Sequence, residues 1–119
     1  MKLYVSGPIT GHPNKNQEAF EEAAVVLKQL GHKPVTPFDL DVVYPRDSDD
    51  WVANMKRDVE FLPKADGVVV IDGWQGSKGA KIEIMIASAL NIPVFYLTED
   101  ATLETYTVGV ETTIELTGE

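Results

Sequence analysis

The sequence predicts a doubly wound α/β domain, Rossmann- or flavodoxin-like, with a four- to five-stranded parallel sheet. Two observations carry this. Strand-like and helix-like segments alternate along the chain, and alternation with right-handed crossovers builds a parallel sheet. In addition, GVVVID (Gly67–Asp72) and IPVFYL (Ile92–Leu97) are continuous apolar runs, the pattern of parallel strands covered on both faces. A chain of 119 residues is long enough for one core, so residues 1–119 are read as a single domain.

The elements follow in order. KLYVS (Lys2–Ser6) is β-prone and ends at Gly7-Pro8, a turn signal. From Asn14 or Asn16 as N-cap, Ala19, Phe20, Ala23, Ala24, Leu27 and Leu30 recur at helical spacing, and Gly31 supplies a stop. HKPVTP holds Val35 between two prolines, so its strand is short and lies near an edge. A polar loop is expected next. Asp49 or Asp50 caps a helix in which Trp51, Val52, Met55, Val59 and Leu62 return at three- and four-residue steps until Pro63. The Gly67–Asp72 strand, a glycine loop, a helix over about 78–90 and the Ile92–Leu97 strand complete the order. In the tail, Tyr106–Val110 fits a fifth strand and Glu111–Leu116 a short helix, although the segment suits either state.

Composition narrows the function. A hydrophobic fraction of 44% and a mean hydropathy of −0.09 suit a folded, water-soluble domain. No apolar run approaches the roughly 18 residues needed to cross a bilayer, and no signal-peptide pattern opens the chain, so no membrane partner and a cytoplasmic location are expected. There are no cysteines, and the two histidines, His12 and His32, stand far apart, which argues against a metal site. A net charge of −9 disfavours a nucleic-acid polymer as partner but leaves room for a single nucleotide bound through backbone N–H groups.

In an open α/β sheet, ligands bind beyond the carboxyl ends of the strands. Two loops qualify: SGPITG, with Ser6, Gly7 and Pro8, and DGWQGSKG, with Asp72, Gly73, Trp74, Ser77 and Gly79. If their strands are neighbours, the loops face one crevice. Both can bring bare N–H groups to an anion, the second at a helix N-terminus, and each glycine equally well makes a turn or a close packing contact. Neither loop matches the dinucleotide fingerprint or the P-loop.

Glu83 lies four residues beyond Gly79, one helical turn further on nearly the same face, with Ile82 and Ile84 on either side. Helical side chains lean toward the N-terminus, so its carboxylate can point at the glycine loop from the border of an apolar stripe of Ile82, Met85, Ile86 and Ala89. Partial burial there would raise its pKa. Two readings stand: a nucleophile or acid–base group, or a solvated glutamate paired with Lys78 or Lys81. Asp58, Asp66 and Asp72 are the choices for a second carboxylate, with helix capping or a turn as the plainer role. Trp51 fits the core face of its helix, which leaves Trp74 to contact a base or a neighbouring subunit.

Three segments together, KLYVSGPITG, WVANMKRDVEFLPKADGVVVIDGW and SKGAKIEIMIASALNIPVF, resemble the nucleoside 2-deoxyribosyltransferase-like superfamily, particularly its compact, often phage-encoded members, over roughly residues 2–97. The resemblance implies a doubly wound fold, a homodimer or larger homo-oligomer, and a nucleoside or nucleotide substrate with no metal or organic cofactor. It implies that Glu83 attacks the anomeric carbon to form a covalent glycosyl-enzyme intermediate. Tyr4 or Ser6 would stand near that nucleophile, and Asp58 and Asp72 near the sugar or base, with Asp72 a proton donor to the leaving base. Ser77, Gly79 and the Gly7 loop would hold the 5′ end, Ser77 being equally suited to cap its helix. The implied chemistry is transfer or hydrolysis at an N-glycosidic bond; the alternative is a nucleotide-binding module without catalysis.

Overall fold

A computed structural model describes residues 1–44 and 50–107. Five strands, β1 (Lys2–Ser6), β2 (Lys33–Val35), β3 (Gly67–Val70), β4 (Val94–Leu97) and β5 (Leu103–Tyr106), form one sheet in the order β2-β1-β3-β4-β5. The first four pair in parallel. The short proline-bearing β2 lies at an edge, as its sequence requires.

The tail corrects the expectation of an all-parallel sheet. β5 runs antiparallel to β4, with Val94 opposite Tyr106 and Leu97 opposite Leu103. The reason is the short turn between them, where Thr98 N–H donates to Thr102 O at 2.9 Å; so few residues can reverse a chain but cannot make a crossover. The expected strand at Tyr106–Val110 shares only Tyr106 with β5, and the rest of it, like the helix at Glu111–Leu116, lies outside the described residues.

Helices cover both faces. Along β1 the side chains alternate: Leu3 and Val5 join Phe20, Ala23 and Leu27 of α1 (Gln17–Gln29) and Val69. Tyr4 faces the other way, into a core with Leu40, Leu62, Val68, Val70, Ile84 and Ala87. Phe20 and Leu27 are fully buried, each worth about 1.5–3 kcal/mol relative to exposure. Asn16 precedes α1 in a left-handed conformation and makes no cap bond; its Nδ2 donates instead to Pro8 O at 2.9 Å, tying the helix start to the Gly7 loop. Gly31, with φ of 89°, ends the helix turn as expected.

The segment expected to be a polar loop contains a helix, α2 (Pro37–Val43). Thr36 and Asp39 make a reciprocal capping box, with Asp39 N–H donating to the Thr36 hydroxyl at 3.2 Å and Thr36 N–H donating to Asp39 Oδ2 at 2.9 Å. The TPFD stretch carries that signal.

In α3 (Trp51–Phe61) the Asp50 side chain accepts from Ala53 N–H at 3.0 Å; the alternative cap, Asp49, lies outside the described residues. The helix turns a different face inward from the one its apolar residues suggest. Asn54, Asp58 and then Leu62 are buried, at 8%, 4% and 0% exposure, while Trp51 and Val52 are 37% and 54% exposed. A helix that buries two polar residues at i and i+4 in place of its apolar ones lines something other than a core.

Gly7 stands where β1 leaves the sheet, and a methyl group there would come within 2.2 Å of Ile71 Cγ1. Gly7→Ala is therefore expected to destabilise the protein by about 1–3 kcal/mol through overpacking, measured by denaturant unfolding. An unchanged midpoint would show that Ile71 yields without cost.

Candidate active site

β1 and β3 are parallel neighbours in register from Leu3–Gly67 to Ser6–Val70, so the loops that follow them open on one crevice. α4 (Lys78–Ala89) begins at its edge, where Ser77 Oγ accepts from Ala80 N–H at 3.2 Å. α3 packs alongside: a methyl at Gly79 would meet Met55 Sδ at 3.1 Å, a tight contact that the bare glycine avoids where the two helices approach. The resulting cleft of about 750 Å³ is walled by the Gly7–Gly11 loop, the start of α4 and the Trp51–Asn54–Met55–Asp58 face of α3. Its size suits a small organic molecule.

Glu83 sits in this cleft, 4% exposed. Tyr4 and Ser6 share one face of β1 because they are two residues apart, and both reach it. Tyr4 Oη donates to Glu83 Oε2 at 2.7 Å, and Ser6 Oγ donates to Oε1 at 2.7 Å. Each carboxylate oxygen is thus held by its own hydroxyl. Burial raises the Glu83 pKa to about 7, against the two hydroxyl bonds, which favour the charged form. Burial and then the Glu83 charge push the Tyr4 phenol well above its usual value, so Tyr4 stays a donor.

Asp58 lines the same cleft. Its Oδ1 accepts from Arg57 Nε at 2.9 Å and Nη2 at 2.7 Å, and the same guanidinium bonds the Pro37 carbonyl at 3.2 Å and pairs with Asp41. Burial would lower the Arg57 pKa, but its bonds to Asp41 and Asp58 outweigh that and raise it. Arg57 therefore clamps α2 to α3 and fixes the Asp58 carboxylate at the cleft wall.

Glu83 lies inside the inward stripe of α4 with Ala80, Ile84 and Ala87, not at its border, and its partners are Tyr4 and Ser6, not the lysines. Gly7, Pro8, Asp58, Gly73, Ser77 and Gly79 all line the cleft with it. Ser77 caps α4 as well. Asp72 is not brought there: it is exposed and lines a second hollow with Tyr96 and Tyr106. The cause is the turn at Asp72–Gly73, with Gly73 at φ of 87° and Trp74 N–H bonded to Ile71 O at 3.2 Å, which carries Asp72 out to solvent. The tryptophans exchange their expected places. Trp74 is 5% exposed and packs edge-on against Tyr106 at 5.3 Å, while Trp51 stands at the cleft mouth with Lys78 Nζ 4.8 Å from its ring centre. Sequence reasoning missed Asn54 and Arg57; the four-residue step from Asn54 to Asp58 was the available signal for the first, and nothing local marks the second.

Among the described residues no group of three or more His, Cys, Asp or Glu is placed to hold a metal ion, and no helix is long and apolar enough to cross a membrane.

An α/β domain with a buried, hydroxyl-held carboxylate at the strand-end crevice is the class that fold and site define. The chain belongs to the family described as a domain of unknown function, DUF4406, whose model matches residues 1–96. Comparison with curated proteins gives no match. Among solved structures it is similar to a 2-deoxyribosyltransferase from the psychrotolerant bacterium Bacillus psychrosaccharolyticus, with a TM-score of 0.65 and 20% identity, over 98% of this chain and 82% of that one. The two share a fold.

The raised Glu83 pKa has a stability consequence. Because the folded value, about 7, lies above the ordinary 4.5, the protonated form stabilises the fold below about pH 4.5, and that contribution is lost as pH rises through 7. Glu83→Gln, which stays neutral, is expected to gain on wild type across this window and to lead by about 2–3 kcal/mol at pH 8. Urea unfolding at pH 4 and pH 8 measures it; a difference independent of pH would contradict the buried-acid assignment.

Proposed function

We infer that the protein cleaves or transfers at the N-glycosidic bond of a (deoxy)nucleoside or its 5′-monophosphate, through a covalent glycosyl intermediate on Glu83. The observation that carries this reading is the Glu83 carboxylate, buried in a substrate-sized cleft and held at 2.7 Å by both Tyr4 and Ser6. Such a group is fixed in orientation, and its pKa of about 7 leaves it substantially ionised near neutrality, the requirements for a nucleophile that must form one bond at one carbon. The shared fold with a 2-deoxyribosyltransferase supports the same reading.

In the first step a Glu83 oxygen attacks the anomeric carbon, and the base leaves with the electron pair of the broken bond and takes up a proton from a water molecule in the cleft. As negative charge leaves the carboxylate, its hydroxyl bonds weaken. In the second step water or a second base, giving up its proton to solvent, displaces Glu83, which leaves as the carboxylate and regains both hydroxyl bonds. Asp58, fixed by Arg57, orients the sugar or base; Asp72, outside the cleft, is replaced in that neighbourhood by Asp58. The glycine amides of the Gly7 loop and the start of α4, with Ser77, receive the 5′ end.

The test is free-base release from deoxynucleosides and their 5′-monophosphates, with and without an acceptor base, followed by chromatography. Wild type is expected to release base, and Glu83→Ala to lose at least about 10³-fold in kcat/KM while remaining folded. No release from any substrate, with nucleotide binding still measurable by calorimetry, would overturn the enzyme reading and leave a nucleotide-binding module.

A further inference from the structure

The cleft carries charge that the chemistry just described does not use. Lys15, from the turn before α1, and Lys78, the first residue of α4, both line it and both are exposed. Among the described residues the ion pairs are those of Arg57, so neither ammonium has a carboxylate partner. The acids of the cleft are engaged elsewhere, Glu83 by Tyr4 and Ser6 and Asp58 by Arg57. Buried acids within and exposed ammonium groups outside give the cleft a polarity.

Lys15 is placed there against a conformational cost. Asn14, Lys15 and Asn16 have φ of 50°, 56° and 63°, a run of left-handed residues. Asparagine tolerates this region, lysine does so less readily, and consecutive residues rarely share it. Bonds from Lys15 N–H to His12 O at 3.0 Å and from Asn16 Nδ2 to Pro8 O at 2.9 Å hold the turn. Asparagine or glycine would make this turn more cheaply, yet lysine occupies the position that lines the cleft, and such an outlier points to a use for the side chain. Lys78 is held differently. Its Nζ lies 4.8 Å from the ring centre of Trp51 on α3, which keeps the charge at the cleft mouth.

The N–H groups of the Gly7 loop and α4 do not tell a hydroxyl from a phosphate, since both present oxygen acceptors. Ammonium groups do, because a hydrogen bond between opposite charges is roughly twice as strong as a neutral one. At a net charge of −9 the chain as a whole repels anions, so local cations are the means of admitting one. Lys78 precedes Glu83 by five residues, roughly 7–8 Å along the helix, a span that a sugar with a phosphate on its 5′ oxygen bridges.

We propose that Lys15 and Lys78 are specificity-determining residues that pair with a 5′-phosphate, making nucleoside 5′-monophosphates, and not the parent nucleosides, the ligands of this cleft. This rests on the nucleoside reading of the site and decides between the two substrate classes that reading allows.

The experiment measures binding in a Glu83→Gln background, so that bound ligand is not turned over. Calorimetry gives affinities for the four common deoxynucleosides and their 5′-monophosphates, in the background protein and with Lys15→Asn, Lys78→Met or both added. Asparagine suits the left-handed turn and removes the charge. Lys28→Met, which removes a charge from the last turn of α1, controls for net charge, and thermal unfolding without ligand reports stability.

The tightest monophosphate is expected to bind the background protein roughly 100-fold more tightly than its nucleoside. Each single variant should lose roughly 10-fold in affinity for the monophosphate and the double variant roughly 100-fold, with nucleoside affinity unchanged. Lys15→Asn should unfold no lower than the background, because asparagine tolerates the left-handed region.

Nucleosides bound as tightly as their monophosphates would overturn the proposal and leave the function standing. So would monophosphate affinity unchanged in either single variant, or an equal loss in Lys28→Met, which would reduce the effect to net charge. A lower unfolding temperature in a lysine variant, with nucleoside and monophosphate affinity lost alike, would make that side chain structural and also overturn it. Failure of the background protein and of wild type to bind any nucleoside or monophosphate would overturn both the proposal and the reading it rests on.

Discussion

The two hydroxyl bonds to Glu83 are the constraint around which the site is organised. A carboxylate at 4% exposure is costly to keep charged, and burial by itself raises its pKa. Tyr4 and Ser6 offset part of that cost, one on each oxygen. Their placement is a property of the sheet: residues two apart on β1 share a face, and β1 lies at the centre of the crevice because β2 and β3 flank it. The acid on α4 and its donors on β1 are 77 and 79 residues apart in sequence, so the site exists only when sheet and helix have docked.

The helices show the same subordination of core to cleft. α3 would bury more apolar surface with Trp51 and Val52 turned inward, yet it buries Asn54 and Asp58 and leaves those two exposed. Arg57 then has to clamp Asp58 and Asp41, drawing α2 into the wall. Gly79 leaves Met55 room that a methyl group there would crowd. Each of these choices costs stability locally and together they leave a polar hollow at the strand ends, the pattern expected where function, not packing, sets residue identity.

The alternating elements and the crevice were legible in the sequence because they rest on local signals: apolar runs, helical periodicity, and glycines after strands. Glu83 was legible as a carboxylate aimed at a glycine loop, although not as one so deeply buried, since burial depends on what β1 presents across the sheet. Tyr4 came only from resemblance, for nothing in KLYVS says which of its side chains meets α4. The inward face of α3 was misread because its apolar residues do have helical periodicity; the competing stripe of Asn54, Asp58 and Leu62 has it too, and polarity hid it. A strand-end position locates the Asp72 backbone near the crevice but does not fix where a side chain points that stands just before a left-handed glycine. α2 stands where a polar loop is expected after HKPVTP, although Thr36 and Asp39 carry a capping signal.

The central physical claim is that Glu83 is a buried acid kept ionisable by Tyr4 and Ser6, and it can be measured without any substrate. Protein labelled with ¹³C at glutamate side-chain carboxyls, with Glu83 assigned by comparison with Glu83→Gln, would be titrated by NMR as wild type and as Tyr4→Phe. A midpoint of about 7 for Glu83 that moves higher in Tyr4→Phe, where one stabilising bond is lost, is the predicted result. A midpoint near 4.5, unmoved by Tyr4→Phe, would contradict it and return Glu83 to an ordinary hydrated carboxylate.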